Sequence, residues 1–172
     1  MNFFIAETTR RLFAPRHELS CSPLLWLRLC RRLRQRGLNR TRESGAFLLG
    51  RRAGDSARIL DFALYDDLDP RCLDTGIVRF DGRHFGALWA LCGKKEMSVV
   101  ADVHVHPGGS GQSLSDREHP MIAVAGHVAL ILPRYAARPL RRRDIGMYRY
   151  RGHKQWSVVP PADRRAFLHL GF

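Results

Sequence analysis

The segment Asp102–Asp116, reading DVHVHPGGSGQSLSD, places two histidines and two aspartates within fifteen residues. His104 and His106 stand at the end of an apolar run. Residues two apart on a β-strand point to the same side, so both imidazoles project together while Val103 and Val105 face the core. Two imidazoles on one face can hold a single Zn²⁺ at about 2.0–2.1 Å each. Pro107 ends the strand, and Gly108, Gly109 and Gly111 let the chain turn back sharply. That return can bring Asp116 to the same ion as an oxygen ligand. Three protein ligands leave the fourth tetrahedral position open to water, as in catalytic rather than structural zinc sites. A His-x-His pair by itself is a weak signal, because polar residues are common at strand ends. The proline, the glycine loop and the Ser113-x-x-Asp116 spacing make the combination far more specific.

The elements that must position these residues follow from the surrounding pattern. Ser22-Pro23 reads as an N-cap followed by proline at the first helical position. Leu25, Trp26, Leu29, Cys30 and Leu33 recur at helical spacing as far as Arg36, and Gly37 sits where a helix stops. Arg28, Arg31, Arg32 and Arg34 form the other face. That face is the solvated side of a helix packed on a sheet or, alternatively, a membrane-surface helix. Residues 3–15 read as an edge strand ending at Pro15. Glu43 to Arg51 reads as a buried strand, with Ile59 to Tyr65 as its hairpin partner through Ala53-Gly54-Asp55. An acidic loop with Asp66, Asp67 and Asp69 follows. Asp81 can cap a helix running to about Leu91. Met97 to His106 is a strand, and Ser115 to Ile122 contains a helical turn. Val128 to Pro133, Ile145 to Arg151 and Gln155 to Val159 are further strands. A short helix follows Pro160-Pro161, and Arg138 to Arg143 is a basic loop. This order of strands and helices agrees with an α/β fold.

At 172 residues the chain fits one domain, residues 1–172, able to bury a core without a structural metal. Its 29 basic against 16 acidic residues give a formal net charge of +13. Such a charge fits a polyanionic partner. A competing account is compositional: apart from Lys94, Lys95 and Lys154 the basic residues are arginines, as a GC-rich genome would produce. Cys21, Cys30, Cys72 and Cys92 form no CxxC pair and read as free, mostly buried thiols of a reducing compartment. No secretory leader is evident, and no run nears the roughly 18 apolar residues of a membrane span. The expectation is a cytoplasmic protein.

HVHP with Ser113 and Asp116 resembles the signature of the JAB/MPN (JAMM) zinc metalloprotease family. That signature also takes a glutamate on the first strand after the N-terminal helix, and Glu43 heads ESGAFLLG there. The loop from Pro107 to Ser113 is one residue shorter than is usual in the family. The resemblance implies a cytidine-deaminase-like MPN/JAB sandwich: a curved mixed sheet flanked by helices, with zinc at one edge. It implies His104, His106 and Asp116 as zinc ligands and Glu43 as general base. Ser113 becomes the oxyanion serine by its offset to Asp116, while Ser115 could cap the following turn. Asp102, on the same strand face as His104, is a candidate hydrogen-bond partner of a ligand imidazole.

The run from Gln112 to Ala136 is similar to bacterial members that accompany ubiquitin-activating (E1-like) and ubiquitin-conjugating (E2-like) homologues, some in antiphage defence. The implied activity is cleavage after the C-terminus of a ubiquitin-like protein. The acidic loop would then hold basic residues of the modifier tail. Other classes remain: a JAB-like hydrolase of a small molecule or peptide, a non-catalytic MPN scaffold, or a basic DNA-associated module similar to the RadC-like branch. Against the last, the basic residues are scattered and lack interleaved aromatics outside Tyr148–Tyr150.

Overall fold

The computed structural model describes residues 17–38 and 40–171. The strand expected over residues 3–15 therefore lies outside the described residues. The framework is a curled eight-stranded mixed sheet flanked by helices. Its strands are β1 (Leu19–Cys21), β2 (Gly45–Ala53), β3 (Ser56–Leu64), β4 (Ser98–Val105), β5 (Val128–Leu132), β6 (Gly146–Gly152), β7 (Gln155–Val158) and β8 (Leu168–Leu170). Their order across the sheet is β7-β6-β5-β4-β2-β3-β1-β8. β4 is antiparallel to β2 and parallel to β5. It is an interior strand, with His104 near its C-terminal end.

The helix α1 (Pro23–Arg36) forms where its sequence signals place it. The Ser22 hydroxyl accepts from the Leu25 amide, and the Gly37 amide returns to the Leu33 carbonyl. α1 buries Trp26, Leu29, Cys30 and Leu33 against the sheet residues Leu48, Val103, Val105 and Leu130. Arg28, Arg31 and Arg32 on its far side are exposed. Each fully buried Leu or Val contributes roughly 1.5–3 kcal/mol through removal of apolar surface from water.

The opposite sheet face packs differently. The single turn α2 (Tyr65–Leu68) follows β3, and α3 (Phe85–Lys95) lies over the sheet. Phe47, Leu49, Tyr65, Leu73, Leu88 and Cys92 close one cluster there. Ala129, Ile131 and Tyr148 form a smaller one. The helix expected from Asp81 opens as a 3₁₀ turn over Gly82–His84, with the Asp81 carboxylate accepting from the Arg83 amide. Its α-helical part starts only at Phe85.

The acidic loop has internal uses. Asp66 and Asp67 both pair with Arg36 of α1. Asp69, 4% exposed, accepts from the amides of Arg71 and Asp81. These bonds tie the loop to α1 and to the turn at Asp81. β1 and β8, three residues each, were not anticipated. Both run parallel, Leu19 lying between Ala57 and Leu168, and so short a strand shows no readable alternation. All four cysteines are free and buried. Burial pushes the Cys21 and Cys72 thiols to about 12 and Cys30 to about 11.

Candidate metal centre

His104 lies within β4, paired with Gly45 of β2 on one side and Ile131 of β5 on the other. His106 follows the strand end. Its amide donates to the Leu132 carbonyl at 3.0 Å, and its carbonyl accepts from the Tyr135 amide at 2.8 Å. The glycine loop is then fastened from two directions. The Arg134 amide donates to the Gly108 carbonyl at 2.9 Å, and the Tyr148 hydroxyl donates to the Ser110 carbonyl at 2.7 Å. Ser110 packs so close to Gly146 that a Cβ there would lie 2.0 Å from its oxygen. No side chain fits at position 146 without moving the loop.

Beyond the loop, the single turn α4 (Leu114–Glu118) fixes Asp116. The Ser113 amide donates to Asp116 Oδ2 at 2.6 Å, and the Asp116 amide donates to Ser113 Oγ at 3.1 Å. This reciprocal cap satisfies two amide donors that a helix start leaves open. Ser113, not Ser115, is therefore the capping residue. Its hydroxyl accepts one bond and retains its own proton for donation.

Three of the sequence-predicted residues converge. His104 Nε2 and His106 Nε2 are 3.0 Å apart. Asp116 Oδ1 is 3.3 Å from His104 Nε2, and Asp116 Oδ2 is 3.3 Å from His106 Nε2. One ligand atom from each residue lies within 4.8 Å of the others. A tetrahedral zinc with bonds of about 2.0–2.1 Å has ligand–ligand edges of about 3.3 Å. The spacing and the neutral-nitrogen plus carboxylate donor set thus fit one such ion. Burial of Asp116 favours its neutral form, but the two imidazoles outweigh it and hold the carboxyl well below the usual range. Burial likewise lowers His104, and contact with Asp116 overrides it to raise the imidazole.

Glu43 sits at the margin, two residues ahead of β2. Its amide donates to the Gly76 carbonyl at 2.8 Å, and its Oε2 accepts from the Val78 amide at 3.4 Å. Its Oε1 lies 3.8 Å from His106 Nε2. It is near the three converging groups without being one of them.

A buried polar group behind His104 was only half anticipated. Asp102 does not bond a candidate ligand imidazole. Its Oδ1 lies 2.6 Å from His127 Nε2, and its Oδ2 accepts from the Tyr65 hydroxyl at 3.1 Å. All three residues are buried. Burial first, and the Asp102 charge second, push the Tyr65 hydroxyl well above its ordinary value. The Tyr65 ring occupies the space a Cβ would need at Gly45, with a separation of 2.2 Å. The glycine in ESGAF was the available signal, since a glycine inside a strand marks close approach of another group. His119 is exposed at the cleft described next, His153 lies in the β6–β7 turn, and His84 is 3.6 Å from Asp69.

Beside the centre opens a cleft of about 520 Å³. Asp102, His104 and Asp116 stand in its wall, together with Phe80, Phe85 and Trp156.

No family model matches the chain. A Sinorhizobium fredii protein named probable metalloprotease y4jG is 28% identical over 69 residues, which is 40% of this chain and 43% of the relative. The chain thus spans less than half of that relative. Among solved structures, the Desulfitobacterium hafniense protein DSY2949 superposes with a TM-score of 0.61 at 16% identity, covering 83% of this chain and 90% of that one. A Salinibacter ruber protein gives 0.54 at 17% identity, covering 81% and 88%. At these identities the likeness to both structures is one of fold. The chain is a mixed α/β protein with a His-His-Asp group able to hold a metal, and part of it is similar in sequence to a protein named a metalloprotease.

Proposed function

We propose that this chain is a JAMM-type zinc metallopeptidase that cleaves after the C-terminus of a ubiquitin-like protein. The observation that carries the reading is the convergence of His104, His106 and Asp116, with Glu43 3.8 Å from His106. The partial likeness to a protein named a metalloprotease supports the peptidase class. Zinc, when bound, supplies Lewis acidity and a water whose pKa falls toward about 7. His104, His106 and Asp116 would hold it. Glu43 takes a proton from the attacking water and returns it to the leaving amine. Its backbone amide bond to Gly76 and its contact with Val78 fix the carboxylate for that transfer. The Ser113 hydroxyl donates to the oxyanion of the tetrahedral intermediate.

The test is metal analysis of the purified chain together with cleavage of a ubiquitin-like fusion, with and without chelator. The expected result is about one zinc per chain and chelator-sensitive cleavage. Glu43→Ala should keep the zinc and lose on the order of 10²–10⁴ in rate. Absence of zinc from the wild-type chain sinks the mechanism. Loss of zinc in Glu43→Ala would make Glu43 a ligand rather than the base.

A further inference from the structure

We infer that the cleft beside His104 and Asp116 selects substrates with a bulky apolar or aromatic side chain next to the scissile amide. This rests on the metallopeptidase reading and names the substrate feature that the site prefers. The volume of about 520 Å³ lies within the roughly 300–1,000 Å³ of small-ligand sites. Phe80, Phe85, Met121 and Trp156 give it an apolar side, while Arg79, Gln112 and Ser115 line it with polar groups.

Two features make this a shaped wall. Trp156 is held by its Nε1, which donates to the Arg117 carbonyl at 3.1 Å, and by Tyr150, whose ring lies edge-on at 4.9 Å. Phe85 is braced by Phe80 at 5.2 Å and Phe47 at 6.0 Å between ring centres. Rings already held in place lose little freedom when a ligand arrives. The cleft is also placed for chemistry. His104 and Asp116 stand in its wall, whereas Glu43 and His106 do not. An amide reacting at the centre therefore has a flanking side chain within reach of the cleft, while the base lies outside it. A glycine there leaves apolar surface wet. A phenylalanine or leucine covers it and removes that surface from water.

The test uses zinc-loaded full-length protein and matched peptides that differ at one residue flanking the cleaved bond, with Gly, Ala, Leu and Phe tried on each side in turn. On one side, kcat/KM for Phe or Leu should exceed that for Gly by about 10-fold or more. Ala129→Leu partly fills the cleft. It should bring the Phe-to-Gly ratio down about fivefold or more, with zinc content as in the parent protein. Equal rates for Gly and Phe on both sides, or a preference for Gly, overturn the inference and leave the peptidase reading standing. Binding separates the two failures. Zinc-loaded Glu43→Ala protein is titrated with the same peptides and followed by tryptophan fluorescence. Saturable binding of the Phe peptide that Ala129→Leu weakens supports the cleft even where the parent protein cleaves nothing, and then only the peptidase reading falls. Indistinguishable binding of the Phe and Gly peptides overturns the cleft's role.

Discussion

The two sides of β4 share one strand and little else. Ala101, Val103 and Val105 are fully buried in the apolar layer beneath α1. Asp102 and His104 turn the other way, toward the cleft, and the following His106 meets Asp116 on α4. The pleat alone separates them, since successive side chains alternate faces. One side therefore supplies burial and the other chemistry, within a six-residue span. Each kind of substitution should therefore register on its own side. A change on the apolar side should cost stability and leave ligand types intact. A change on the polar side should cost function out of proportion to stability.

Asp116→Ala gives the largest expected effect. It removes the only carboxylate among the three converging groups, so bound zinc should fall from about one equivalent to a small fraction, with cleavage down on the order of 10³-fold. Metal analysis checks this, and circular dichroism should show the fold retained. A variant that keeps full zinc would break the contrast on the polar side.

Val103→Ala probes the apolar side. It should lower stability by about 2 kcal/mol, because a fully buried side chain is cut back in a packed layer. Denaturant unfolding measures the loss. Zinc content should not change. If metal is lost with the stability, the two sides are not separable.

Tyr65→Phe sharpens the comparison with a smaller effect. It deletes one hydrogen bond to buried Asp102 and keeps the ring against Gly45. The cost should be about 1–2 kcal/mol, from a buried carboxylate left short of a donor. An unchanged unfolding midpoint would show that this group contributes nothing to holding the polar side. The smallest effect is a null one. With Cys21, Cys30 and Cys72 raised to about 11–12 by burial, iodoacetamide at pH 8 should label these thiols only after unfolding, since thiolate is the reactive form. Mass spectrometry reads this directly, and rapid labelling of Cys21 or Cys30 in the native protein would mean the apolar layer is open.

Several features are legible along the chain because they are local. The cap at Ser22-Pro23, the helical spacing to Arg36, the alternation through β4 and the hairpin turn at Gly54 are each written within a few residues. The types and order of His104, His106, Ser113 and Asp116 are likewise local, whereas Glu43 entered only through the resemblance to a family signature. Other features join residues far apart and exist only in the folded chain. Asp102 finds Tyr65 and His127 across 37 and 25 residues. Arg36 takes up the acidic loop, and Gly146 with Tyr148 clamps Ser110. Which serine caps α4 was open on spacing and closed only by the turn's geometry. The physical reason is that periodicity and capping act between near neighbours. Satisfying a buried carboxylate or seating a loop against a glycine depends on which strands the fold makes adjacent.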